Sequence, residues 1–124
     1  EQNFRRATSW FKSAVSIAKD DANIVNEVAW TLTVTNLDKL RNQSYALRIM
    51  DRMMKADENA RGNPAYLDTW AAAHAANGKF GEAITLQKQA LQAAKDRDQT
   101  GDLEELNKHL KMFTEETVII DPVP

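Results

Sequence analysis

Glu105 and His109 are the residues whose types and spacing come closest to acid–base chemistry. They stand four positions apart, which places a carboxylate and an imidazole on one face of a helix. An enzyme site would need further groups that converge on such a pair, and neither His109 nor His74 has a convincing partner in the sequence. We therefore interpret the pair as a surface contact within one helix, and His74 as a core or half-buried residue. The sequence predicts no catalytic residue.

Metal and cofactor chemistry is equally hard to place in this chain. Asp20-Asp21 and Glu115-Glu116 are explained by a helix cap and a solvated helix end. There is no cysteine to supply a thiolate ligand, and no glycine-rich loop that would cradle a phosphate. We expect no metal site and no cofactor.

Charge and hydropathy limit the classes of partner. The formal net charge is −2, and Arg5-Arg6 is the only adjacent basic pair, so we expect neither nucleic acid nor a membrane as partner. No apolar run approaches the roughly 20 residues that span a bilayer. The 124 residues suit one domain. Because the sequence begins without methionine or a signal peptide, we expect it to be a fragment of a longer protein, and its compartment is left open.

Helical spacing dominates the whole chain, and the fold class that it predicts is all-α. Apolar residues recur at intervals of three and four, and glycines and prolines lie where helices should start or stop. Val118, Ile119 and Ile120 are followed by prolines, so residues 117–124 should form an extended tail. The six expected helices are Phe4 to Lys19, Ala22 to about Thr35, Gln43 to about Ala56, Pro64 to Asn77, Phe80 to about Lys95, and Asp102 to about Thr114.

The helices repeat in pairs. Phe80, Ala83, Gln87 and Ala90 recur in register with the stripe of the first helix and with the stripe that contains Met50. Small residues occur where two helices would cross closely, and Asn77-Gly78 supplies a tight turn between the fourth and fifth helices.

This pattern resembles the tetratricopeptide repeat, a helix-turn-helix unit of about 34 residues that stacks into a curved superhelix. The resemblance is clearest from Pro64 to Lys95, and the run from Val28 to Leu32 is similar to a bacterial subgroup of these repeats. It implies a helical repeat domain over residues 1–116. Its units would be residues 1–20, 21–56 and 63–95, followed by a terminal helix at 102–114.

The resemblance also implies a function, namely a non-catalytic scaffold that binds a protein or peptide in a concave groove. The first helix of each pair would line this groove, and Trp30 would be its anchor or, alternatively, a core residue. The groove residues implied in this way are Asn23, Asn26, Trp30, Asp68, Ala72, Ala75 and Lys108.

An alternative function is homotypic assembly. The helix from Phe4 to Lys19 has the register of a second helix whose first helix is missing, so it should expose an apolar flank around Phe4, Trp10 or Phe11. The tail offers Val118, Ile119 and Ile120 either as a lid on the last helix or as a segment that adds to another copy.

Overall fold

Six α-helices make up most of the molecule in the computed structural model, which describes residues 2–121. Single turns of 3₁₀ helix at Ala60–Gly62 and Thr100–Asp102 precede the fourth and the sixth α-helix. No strand occurs in residues 2–121, where the β-type pairing consists of one isolated bridge between Thr35 and Asp121. The all-α prediction is thus confirmed. The helices are α1 Gln2–Ile17, α2 Ala22–Val34, α3 Gln43–Ala56, α4 Pro64–Ala76, α5 Phe80–Asp96 and α6 Leu103–Thr114.

Local capping sets the helix ends. Asp21, Asn42 and Asn63 each accept hydrogen bonds from backbone N–H groups in the first turn of α2, α3 and α4. Pro64 occupies the first turn of α4, where its missing N–H costs nothing. Gly78 takes a φ of 79° after α4, which is the left-handed stop that a residue with a Cβ adopts only with strain.

Each of the helices α2 to α6 packs against the next one in the chain. Helix α1 makes only slight contact with the other helices. Beyond these contacts, α2 packs against α4, and α4 against α6. Ala71, Ala73 and Ala83 are completely buried, and their small side chains allow α4 and α5 to approach closely. The alternate helices α2, α4 and α6 therefore lie side by side, and we call their shared surface the α2–α4–α6 face.

Helix α1 has the most weakly covered surface. Val15 is buried against the core, whereas Phe4 and Phe11 are half-buried. Trp10 and Ile17 are 64% and 87% exposed, and they stand seven residues apart, hence on the same flank of the helix. The predicted apolar flank of this helix is confirmed.

The chain after α6 turns back over the α2–α4–α6 face. The N–H of Thr117 donates to the carbonyl of Met112 at 2.8 Å, and the N–H of Asp121 donates to the carbonyl of Val34 at 2.7 Å. Between them Ile119 is buried, while Ile120 is 40% exposed. Residues 117–121 thus connect the C-terminal end of α6 to that of α2. Residues 122–124 of the predicted tail lie outside the described residues.

Within residues 2–121, no helix is both long enough and apolar enough to cross a membrane.

Candidate binding face

His109 lies buried in the middle of the α2–α4–α6 face, where it joins two helices. Its Nδ1 is 2.8 Å from Oδ1 of Asp68 on α4, and its Nε2 is 3.0 Å from Oε1 of Glu105 on α6. The interpretation of Glu105 and His109 as a surface pair without further partners is therefore wrong. Sequence spacing reveals neighbours on one helix, but the contact with Asp68 depends on how α4 and α6 are placed.

Gln87 of α5 extends this network. The residue is completely buried, and its Nε2 donates to Oδ1 of Asp68 at 2.8 Å and to the carbonyl of Leu106 at 3.0 Å. Asp68 is thus not a free groove residue, because it already accepts from α5 and faces His109. One signal was present in the sequence, since a glutamine interrupts the otherwise apolar stripe of Phe80, Ala83 and Ala90.

The charges around His109 favour its protonated form. Burial by itself lowers the pKa of the imidazole, but the hydrogen bond and charge of Asp68, together with those of Glu105, outweigh burial, so the pKa is raised above its usual 6.5. A protonated His109 would donate to a carboxylate from each ring nitrogen. Since both nitrogens are already engaged and the ring is buried, His109 is not available to a substrate.

His74 has the opposite environment. Its Nε2 lies 3.9 Å from Oδ1 of Asp51, which also accepts a 2.7 Å hydrogen bond from the indole of Trp70. Burial lowers the pKa of His74 and outweighs the charge of Asp51. The prediction that His74 is half-buried between helices is confirmed, although it does have a carboxylate partner.

Neither carboxylate–histidine group brings together the components of a metal site. No cluster of three or more histidine, aspartate or glutamate side chains suited to a metal ion occurs in the part of the chain that the structure describes. What these groups do is position helices: one joins α4 to α5 and α6, and the other joins α3 to α4.

The predicted groove residues divide into groups with different surroundings. Asn23 is exposed and accepts a hydrogen bond from the hydroxyl of Tyr66, whereas Oδ1 of Asn26 is buried and has no hydrogen-bond partner among residues 2–121. Trp30 is half-buried, with its ring 5.8 Å from that of His109. Lys108 is exposed on α6.

Ala72 and Ala75 differ from the prediction. Only 2% and 1% of their surfaces are exposed, and they belong to the same apolar cluster as Ile119, Val34 and Phe113. The prediction that they line the groove is wrong, because both are buried. Helical phase correctly places them beneath the face, but the tail of the chain covers this part of it.

A polar cleft of about 640 Å³ opens at the other end of the face, between the start of α4 and the start of α6. Asp68, Asp102 and Glu105 bring three carboxylates to its walls, and Asn63 and Gln99 add amides. No signal in the sequence indicates this cleft, because its walls come from segments around the starts of α4 and α6 that are distant in the chain. The face therefore offers an acidic cleft at one end and an apolar seat, filled by Ile119, at the other.

Comparison of the chain with protein-family models, with curated proteins and with solved structures found no significant match.

Proposed function

We propose that this protein is a non-catalytic interaction module of the tetratricopeptide type, which binds an extended segment of a protein on the α2–α4–α6 face. The proposal rests on the position of the chain's own tail, which packs against this face. Residues 117–121 lie on this face, with Ile119 buried and the N–H of Asp121 bonded to Val34. This face binds one extended segment through a backbone hydrogen bond and a buried apolar side chain. An extended segment of another protein could bind through the same two kinds of contact.

Other features of the face support this assignment. The pairing of neighbouring helices and the contact of alternate helices agree with a stack of α-hairpins. Trp30 presents part of an aromatic ring beside the tail cluster, and aromatic residues contribute strongly to protein interfaces. Both ring nitrogens of His109 are engaged by carboxylates, which favours a binding role over a catalytic role for this face.

The proposal predicts that displacing the tail exposes a peptide-binding site. We expect the full chain with Ile119→Asp to bind a labelled synthetic peptide of residues 116–121 at least about tenfold more tightly than the wild-type chain does. In the wild-type chain the tethered tail competes with the added peptide for the face at an effective concentration on the order of millimolar. An aspartate at position 119 disfavours burial of the tail and so removes this competitor. Fluorescence anisotropy measures the affinity, and circular dichroism checks that the variant is folded.

Ile120→Asp is the matched control, because the neighbouring isoleucine is 40% exposed and its replacement should leave the tail in place. A second pair of variants leaves Ile119 intact: Asp121→Pro removes the N–H that bonds Val34, whereas Asp121→Ala keeps it. Equal affinities in all chains would contradict the proposal, and so would a folded Ile119→Asp variant that does not bind the peptide.

Homotypic assembly is a second candidate function, favoured by the exposure of Trp10 and Ile17 on one flank of α1. It predicts a concentration-dependent dimer in light scattering, because a shared apolar flank would be buried between two copies. The double variant Trp10→Ser and Ile17→Ser should then be monomeric. Leu37→Ser, at an exposed leucine outside α1, should leave the dimer unchanged. A wild-type chain that stays monomeric at high concentration rules this candidate out.

A further inference from the structure

A second cleft, between α1 and α3, is lined by four basic side chains and has a volume of about 490 Å³. Lys12 comes from α1, Lys19 from the turn that follows α1, and Arg48 and Arg52 from α3. No carboxylate among the described residues contributes to its walls. We call it the basic cleft. It lies on helices other than those of the α2–α4–α6 face, so it is independent of the proposed function.

Helical geometry explains why these charges converge. Arg48 and Arg52 are one turn apart on α3 and therefore lie on one side of that helix. Lys12 faces them from α1, and Lys19 from the turn that follows α1. Val15 and Ile49, which also line the cleft, are buried. The long alkyl stems of the basic residues can cover this apolar floor while their charged ends stay at the opening.

The four charged side chains form no ion pairs within residues 2–121. Arg41 and Arg61 pair with Asp38 and Glu58, but none of the four residues of the basic cleft forms an ion pair with a carboxylate of the described chain. Two of them instead share an aromatic ring. The Nζ of Lys12 lies 5.4 Å from the centroid of Tyr45, and the Cζ of Arg48 lies 5.1 Å from it. Like charges are thus held near each other around one side chain.

We propose that the basic cleft binds a soluble small molecule that carries two or more phosphoryl groups. Guanidinium groups donate two parallel hydrogen bonds to phosphate oxygens, and lysine ammonium groups add compact positive charge. Ser16 adds a hydroxyl donor between Lys12 and Lys19. The volume lies in the range of small-molecule sites. A nucleic-acid site, by contrast, needs basic groups spread along a longer surface.

Isothermal titration of the full chain with inorganic tripolyphosphate at low ionic strength tests this proposal. We expect saturable binding to one site, weakened at least about tenfold by the double substitution Arg48→Gln and Arg52→Gln. Lys12→Gln with Lys19→Gln, on the opposite wall, should weaken binding in the same direction. Because all four residues are exposed, both variants should fold, which circular dichroism checks.

The matched control is Arg5→Gln with Arg6→Gln, which removes the same charge from exposed positions of α1 outside the cleft. This control should bind tripolyphosphate like the wild type. An equal loss in the control would mean that a diffuse positive field attracts the anion, and it would overturn the proposal. Absence of binding by the wild-type chain would also overturn it.

Two further probes distinguish a soluble phosphoryl compound from an acidic peptide and from a phosphorylated lipid. Hexaglutamate carries comparable charge without phosphoryl groups, and binding as tight as that of tripolyphosphate would assign the cleft to acidic peptides instead. Vesicles with a bisphosphorylated lipid headgroup test a membrane source of the same chemistry. Sedimentation of the chain with such vesicles, without binding of tripolyphosphate, would overturn the assignment to a soluble molecule.

Discussion

Replacing Asp68 by alanine is expected to lower the free energy of unfolding by about 3 kcal/mol at pH 5.5, at the lower end of the range for breaking a buried ion pair. The substitution leaves protonated His109 without its contact to α4 and removes an acceptor from the buried amide of Gln87. Urea unfolding followed by circular dichroism measures the loss. Asp38→Ala is the control, since Asp38 pairs with Arg41 but its side chain is 86% exposed, and it should cost less than about 1 kcal/mol.

The same variant should also change how stability depends on pH. The folded-state pKa of His109 is raised above 6.5, so protonation of His109 contributes stability that is fully present below pH 6.5 and is lost as pH rises through the folded-state value. The difference between wild type and Asp68→Ala should therefore shrink from pH 5.5 to pH 8.5. The pKa of His74 is lowered, so its titration affects stability below pH 6.5. This effect is the same in both proteins and therefore cancels in the difference between their free energies of unfolding. A difference that stays constant with pH would contradict this account.

Phe113→Ala is expected to be the most destabilising single substitution that we consider, at about 3–5 kcal/mol. Phe113 is completely buried and is the largest of the fully buried side chains. It belongs to the cluster that joins α2, α4, α5, α6 and Ile119 of the tail. Truncation would leave a cavity among these elements, because the alanines around it are too small to fill the space. Chemical denaturation measures the change.

Phe80→Ala provides the comparison for Phe113. Phe80 packs against the same cluster but is only half-buried at the start of α5, so its truncation should cost about 1–2 kcal/mol. Similar losses for the two variants would mean that the cluster is not centred on Phe113 as described.

The elements of the fold could be predicted closely because their signals are local. Asp21, Asn42 and Asn63 cap helices by bonding backbone groups two or three residues away, and Gly78 ends α4 through its own φ. The predicted helix limits accordingly agree with the structure to within about two residues, the uncertainty that assignment methods themselves have. One deviation is that Asp102 belongs to the 3₁₀ turn before α6 rather than to the helix.

The candidate sites were harder to predict because they depend on contacts between distant segments. His109 and Asp68 meet only when α6 lies against α4, and the basic residues of the basic cleft converge only when α1 lies beside Tyr45 of α3. Helical phase places Ala72 on one side of α4, but it cannot reveal that Ala72 is buried in a cluster with Ile119 of the tail. Periodicity thus predicts the face of a helix, and tertiary packing decides what that face meets.

The hydrogen bond between Asp121 and Val34 has a consequence for how the molecule unfolds. In a linear array each hairpin touches only its neighbours, so the terminal helix can fray while the rest stays folded. Here Asp121, which follows α6, is hydrogen-bonded to the C-terminal end of α2, so the helices from α2 to α6 form a closed ring of contacts. Opening α6 then also requires release of an anchor on the second helix, and the array should lose its structure more cooperatively than an open stack of the same length.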